Sequence, residues 1–301
     1  MANKLIYSSP EAKKIIDEIY DENLRSYGYP YETLYIQTSL GRVGVTKIGN
    51  PNGYPLLAFD GHKTITSSTL GRIEFLIEDC CIYFPGVIGQ AGPSDEGLIP
   101  SKNYGFGKWV CEVIDALNLD EKPILYGCSY GGGIVANLIC YNHEYAAGAA
   151  MVCPISITRM DYIPGIKAML DFNKAKRNND VEAFKKSALK TNSHNGIVDK
   201  KCARAAVAAA VHCNIPDNMP MQVKLRDLPN GKLPAVIFYG DEDYLFPAER
   251  VEKTLKKHFP SCKRFFMKGH GHTAFLNDEA QQYLLSFIRT IVNKQKSNNY
   301  I

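Results

Sequence analysis

Ser129 stands at the centre of Gly127-Cys128-Ser129-Tyr130-Gly131, with Gly132 and Gly133 directly behind it. A serine hydroxyl is a weak nucleophile and needs a base within hydrogen-bond reach. The chain has seven histidines. His143, His194, His212 and His258 fall in helical patterns or in the segment read below as a cap, where a surface or satisfied core role is the default. His270 and His272 share the loop "MKGHGHTAFLNDEA" (267–280), between a late apolar run and a last helical pattern. His272 is the first choice of base, because Gly271 lets the backbone approach a site closely; His270 is the second. A histidine base needs an acid to hold its tautomer and stabilise the imidazolium. The segment "VIFYGDEDYLFP" offers Asp241, Glu242 and Asp243. Asp243 is the candidate acid, and the two carboxylates before it read as turn caps. The chain order Ser129, Asp243, His272 suits acyl transfer through a serine. A phosphate-binding glycine loop is the competing reading, but neither G-x-x-x-x-G-K-[ST] nor G-x-G-x-x-G stands here.

The glycine row says how such a serine is held. Each glycine weakens a helix by roughly 1 kcal/mol relative to alanine. A strand ("KPILYG") that turns sharply into a helix ("IVANLICYNH") needs close backbone passage at the turn. The same alternation runs along the chain. A capped helix starts at Ser9-Pro10-Glu11. An antiparallel hairpin follows around "SLGR", then apolar strands at 55–61 and 80–86, a helix over 103–119, the Ser129 turn, and a strand over 146–153. Strand, helix, strand and helix resume from Lys232 to the end. This predicts an α/β fold: a mostly parallel sheet, helices on both faces, and the N-terminal hairpin on its edge. Residues 155–230 far exceed one crossover helix and carry three helical patterns, so they are expected to form a helical cap. The core domain is then 1–154 together with 231–301.

With those motifs in place the chain resembles the α/β-hydrolase superfamily over nearly its whole length. "GDEDYLFP" and "GHGHTAF" are similar to the family's acid and histidine loops. The long lead helix resembles bacterial carboxylesterase-type members. Two departures stand out. Asp60-Gly61 occupies the place of the family's His-Gly pair, and Gly86 in "YFPGVIGQAGPSDEG" occupies that of a loop aspartate. The resemblance implies a serine hydrolase of carboxylesterase type, with an oxyanion hole made by the backbone N–H groups of Tyr130 and His62. A carboxylate at Asp60 would repel a developing oxyanion, so it is expected turned away and hydrogen-bonded, or partly protonated. The family also hosts thioesterases, amidases, lactonases and carbon–carbon bond hydrolases; a serine nucleophile argues against its dehalogenases and epoxide hydrolases. A hydrolase-like binding protein with little turnover is the rival of another class.

The composition bounds the rest. The chain has 301 residues, 45% hydrophobic and 22% charged, with a net charge of +4 spread along it. Nucleic-acid binding is not expected. No apolar run is long enough to span a membrane, and the start does not read as a signal peptide. Nine cysteines without a C-x-x-C read as buried free thiols in a reducing cytoplasm, with no metal site. A small-molecule substrate and no cofactor are expected, and a homodimer is compatible with the sequence.

Overall fold

The computed structural model describes residues 6–178, 180–191, 193–194, 197–198, 200–272 and 276–298. Helix α1 (Pro10–Arg25) starts where Ser9 Oγ accepts the Ala12 N–H at 3.1 Å, with proline at the first helical position. Strands β1 (Tyr31–Thr38), β2 (Gly41–Gly49) and β3 (Tyr54–Phe59) follow. Helix α2 (Leu70–Ile73), a single turn, leads to β4 (Cys80–Pro85). Next come α3 (Gly105–Leu117), β5 (Ile124–Cys128), α4 (Tyr130–Asn142) and β6 (Gly148–Val152). The insertion holds α5 (Tyr162–Arg177), α6 (Val181–Thr191), the small strands β7 (Ser193–His194) and β8 (Ile197–Val198), and α7 (Lys200–His212). The chain ends with β9 (Ala235–Gly240), α8 (Ala248–His258), β10 (Lys263–Met267) and α9 (Asp278–Asn298).

Eight strands form one sheet in the order β1-β2-β4-β3-β5-β6-β9-β10. The β1–β2 and β2–β4 pairs are antiparallel and the rest are parallel, so the expected hairpin does lie on the edge. The central strands are apolar throughout because both their faces are covered. Leu56 and Ala58 face a layer that includes Ile16 of α1 and Leu284 of α9. Leu57 and Phe59 face Trp109 of α3 and Ile134 of α4. The chain moves one way from β3 to β4 and then returns past β3 to β5. This reversal opens a crevice at the carboxyl ends of β3 and β5, where open α/β sheets bind their ligands.

Three features lie outside the sequence expectation. Short helical turns over 66–76, where no element was expected, bury Leu70, Ile73 and Leu76. His194, within the expected cap segment, lies in strand β7. The insertion is not one body set on the sheet domain. Ala205, Ala208 and Ala209 of α7 are part of the core beside α1, whereas α5 and α6 meet α7 through Ala175, Phe184 and Ala210. Eight of the nine cysteines are buried and Cys140 is half-buried. No helix among the described residues is long and apolar enough to cross a membrane.

Candidate active site

Ser129 sits between β5 and α4 with φ 52° and ψ −107°, a conformation that costs a non-glycine residue energy and persists only where its surroundings fix it. Its N–H donates to Val152 O at 2.9 Å, and its carbonyl accepts from Gly133 N at 3.0 Å and Ile155 N at 3.1 Å. Strand and helix pass at backbone contact. A Cβ on Gly127 would lie 2.3 Å from Gly131 O, and one on Gly131 would lie 2.1 Å from Phe59 O. The glycine row therefore answers to steric demand on both sides of Ser129, at the expense of helix propensity.

The turn raises the Ser129 hydroxyl to His272, with Oγ 2.7 Å from Nε2. His272 Nδ1 lies 2.9 Å from Asp243 Oδ2. The other oxygen of Asp243 accepts from the N–H groups of Leu245 at 2.9 Å and Phe246 at 3.0 Å. With Nδ1–H donated to the carboxylate, the Nε2 lone pair faces the serine hydroxyl. All three side chains are buried. Burial would raise the Asp243 pKa, but His272 and the two N–H groups outweigh it and hold the carboxyl below its ordinary value.

The neighbouring candidates do other things. His270 is buried, with Nδ1 2.9 Å from Lys268 O, and its carbonyl accepts from Glu242 N at 3.0 Å. Asp241 Oδ1 accepts from Gly269 N at 2.6 Å. These contacts tie the loop after β9 to the loop after β10, and so hold Asp243 opposite His272. Burial pushes the Cys128 thiol up to about 11, so it is neutral at pH 7. The donor atoms of Cys153, Asp243 and His272 lie within 4.8 Å of one another, a spacing that could hold a metal ion. The carboxylate and imidazole of that group already hold each other by their hydrogen bond.

At the end of β3, Asp60 Oδ1 accepts the Gly61 N–H at 2.5 Å. Its Oδ2 is shielded from solvent with no hydrogen-bond partner among the described residues. Burial pushes its pKa up to about 7, against the pull of Arg72 and the Gly61 N–H. One oxygen of Asp60 is thus hydrogen-bonded, and burial favours its protonated form. Arg72 is a buried residue of this region that sequence reasoning missed; its Nη2 lies 3.9 Å from Cys202 Sγ. One cation inside the apolar stretch "LGRIEFL" was the available signal. Gly86 is closed in by Ser94, whose Oγ donates to Gly86 O at 2.6 Å and would lie 2.6 Å from an added Cβ. The His62 ring stacks on Tyr130, centroids 5.0 Å apart, with Nε2 3.7 Å from Asp217 Oδ1. Burial depresses the His62 pKa, and Asp217 offsets part of that. The loop after β3 and the first turn of α4 are thus neighbours, with the end of the insertion beside them.

The sheet, its edge hairpin and the helices around it form an α/β-hydrolase fold, shared with many solved structures. A carboxylesterase from Bacillus subtilis superposes with a TM-score of 0.80 over 92% of this chain and 98% of its own, at 17% identity. Naproxen esterase (carboxylesterase NP) from Bacillus subtilis gives 0.78 over 93% and 99%, at 16% identity. A structure described as a putative aryl esterase from Burkholderia cenocepacia gives 0.72 over 87% and 100%, at 17% identity. No protein-family model and no curated protein matches the sequence.

Proposed function

We propose that the protein is a serine hydrolase of carboxylesterase type, cleaving an ester or related acyl bond of a small apolar substrate. The observation that carries this reading is the hydrogen-bonded chain from Ser129 through His272 to Asp243 at a strained strand-to-helix turn. The esterases among its structural neighbours support the same bond class. Ser129 Oγ attacks the carbonyl carbon as His272 Nε2 takes its proton. Asp243 holds the resulting imidazolium through Nδ1–H. The backbone N–H groups of Tyr130 and His62 receive the developing oxyanion. The imidazolium returns its proton to the leaving alkoxide, leaving an acyl-serine and an alcohol. A water then gives its proton to His272 and attacks the acyl carbon, and Ser129 leaves with that proton. Residues 155–230 act as the cap that shapes the acyl and alcohol pockets.

A fluorophosphonate probe tests the reading. Covalent labelling of the native chain, absent in folded Ser129→Ala, is the expected result. An unlabelled native protein that still binds small esters would make it a ligand-binding protein instead.

A further inference from the structure

The insertion concentrates the charge of the chain. Residues 155–230 hold thirteen Lys or Arg against seven Asp or Glu, a net +6, whereas the whole chain carries +4. On α5 this charge meets exposed apolar surface. Ile163 is 82% exposed, Ile166 50% and Leu170 56%. Lys167, Lys174 and Arg177 are exposed too. Positions 163, 166, 167, 170, 174 and 177 recur at three- and four-residue steps, which puts them on one helical face. Its first half carries the three aliphatic residues with Lys167 among them, and its second half Lys174 and Arg177, with Asp171 at the margin. The opposite side is anchored, since Ala175 packs against Phe184 and Ala210.

Single exposed aliphatic residues need no explanation, but a contiguous stripe does. The charge decides what covers it. A second copy pairing through the same face would set these cations against each other or against isoleucine. An anionic lipid surface complements both halves, with acyl boundary for the aliphatic residues and phosphate for the cations. The face also starts at the rim of the candidate site. Asp161 N donates to Leu245 O at 2.7 Å, two residues from Asp243, and Arg250 Nη1 donates to Arg159 O at 3.1 Å.

We infer that the Ile163-to-Arg177 face of α5 is a docking surface for an anionic phospholipid bilayer. Docking there sets the rim of the Ser129 site against the lipid. The test is co-sedimentation of the full chain with vesicles of phosphatidylcholine, alone or with about 30% phosphatidylglycerol. Binding is expected to rise at least tenfold with the anionic lipid and to fall steeply in about 0.5 M salt. The triple variant Ile163→Ser, Ile166→Ser, Leu170→Ser and the triple variant Lys167→Gln, Lys174→Gln, Arg177→Gln should each lower it about tenfold at an unchanged melting temperature. The charge variant alters only exposed side chains, so it remains informative if the apolar variant fails to fold. No binding to either vesicle, or binding that the charge variant leaves intact, overturns the inference. So does a dimer, seen by light scattering, that the apolar variant dissociates.

Discussion

Ser129 is held in strained backbone so that one hydroxyl meets one imidazole, and the two should fail together. Ser129→Ala and His272→Ala are each expected to lower kcat for ester hydrolysis by about 10⁴–10⁶ in a folded protein. His270→Ala should instead lower the melting temperature, because it removes a buried side chain whose Nδ1 lies 2.9 Å from Lys268 O. Asp243→Asn is expected to cut kcat steeply with KM little changed. Asp241→Asn should be mild, since an amide oxygen still accepts from Gly269 N. Steady-state kinetics beside thermal melts separate these outcomes. Gly271 marked His272 in the sequence. Nothing there marked the tie at His270, because its main-chain carbonyl accepts from Glu242 N on another strand's loop. Asp60 gives a pH-dependent prediction. Its pKa moves from 3.8 to about 7 on folding. Across that window the folded chain keeps a proton that the unfolded chain has lost. Stability therefore falls as pH rises from 4 to 7, by at most about 4 kcal/mol, and this effect is level above 7. Asp60→Asn removes it. The melting-temperature gain of the variant over its parent should grow from about pH 4 to pH 7 and then stay constant. A gain independent of pH would show that Asp60 is ionised throughout.

At the scale of elements, the meeting of β3, β5 and α4 is among the tightest points near the site. An alanine at Gly131 would drive its Cβ to 2.1 Å from a β3 carbonyl. Neither strand can yield, because Phe59 pairs with Gly127 in the sheet. Gly131→Ala is expected to lose about 3 kcal/mol in urea unfolding. Gly61→Ala, with nothing within 4 Å of the added carbon, is the matched control and should stay within about 0.5 kcal/mol. This crossing was legible in the sequence because only close passage explains glycines at a helix start. The buried strands were legible as unbroken apolar runs. The turns over 66–76 were not: packing of Leu70, Ile73 and Leu76 forms them, against a local sequence rich in serine and threonine. Nor could two-residue strands such as β7 and β8 show a period. The interaction of Arg72 with Asp60 depends on how the crossover from β3 to β4 folds, which local sequence does not encode.

For the whole molecule, the insertion is readable as extra length but not as two parts with different attachments. Its alanine-rich third helix looks like any amphipathic segment, and only the folded chain reveals that α7 completes the core over α1. This division sharpens how a cap role should be tested. Removing residues 155–230 would strip Ala205, Ala208, Ala209 and Cys213 from a core that also holds Ile16, Ile19 and Tyr20. Exposing that surface should lead to aggregation rather than to an enzyme with an open pocket. Removing only residues 162–199, bridged by a flexible linker of about 12 residues, exposes far less. It uncovers the small cluster in which Ala175 and Phe184 pack on Ala210 and leaves the core beside α1 closed. This shorter deletion is expected to stay monodisperse in gel filtration with a small fall in melting temperature. It keeps Ser129, His272 and Asp243, so it should still react with the fluorophosphonate probe. If α5 and α6 shape the acyl pocket, the ratio of kcat/KM between short and long acyl esters should shift by about tenfold, because each methylene in an apolar pocket is worth about 1–3 kcal/mol. An unchanged ratio in the folded deletion would assign substrate choice to α7 and the segment through Asp217 and Asn218, where Tyr130 Oη donates to Asn218 O at 3.2 Å.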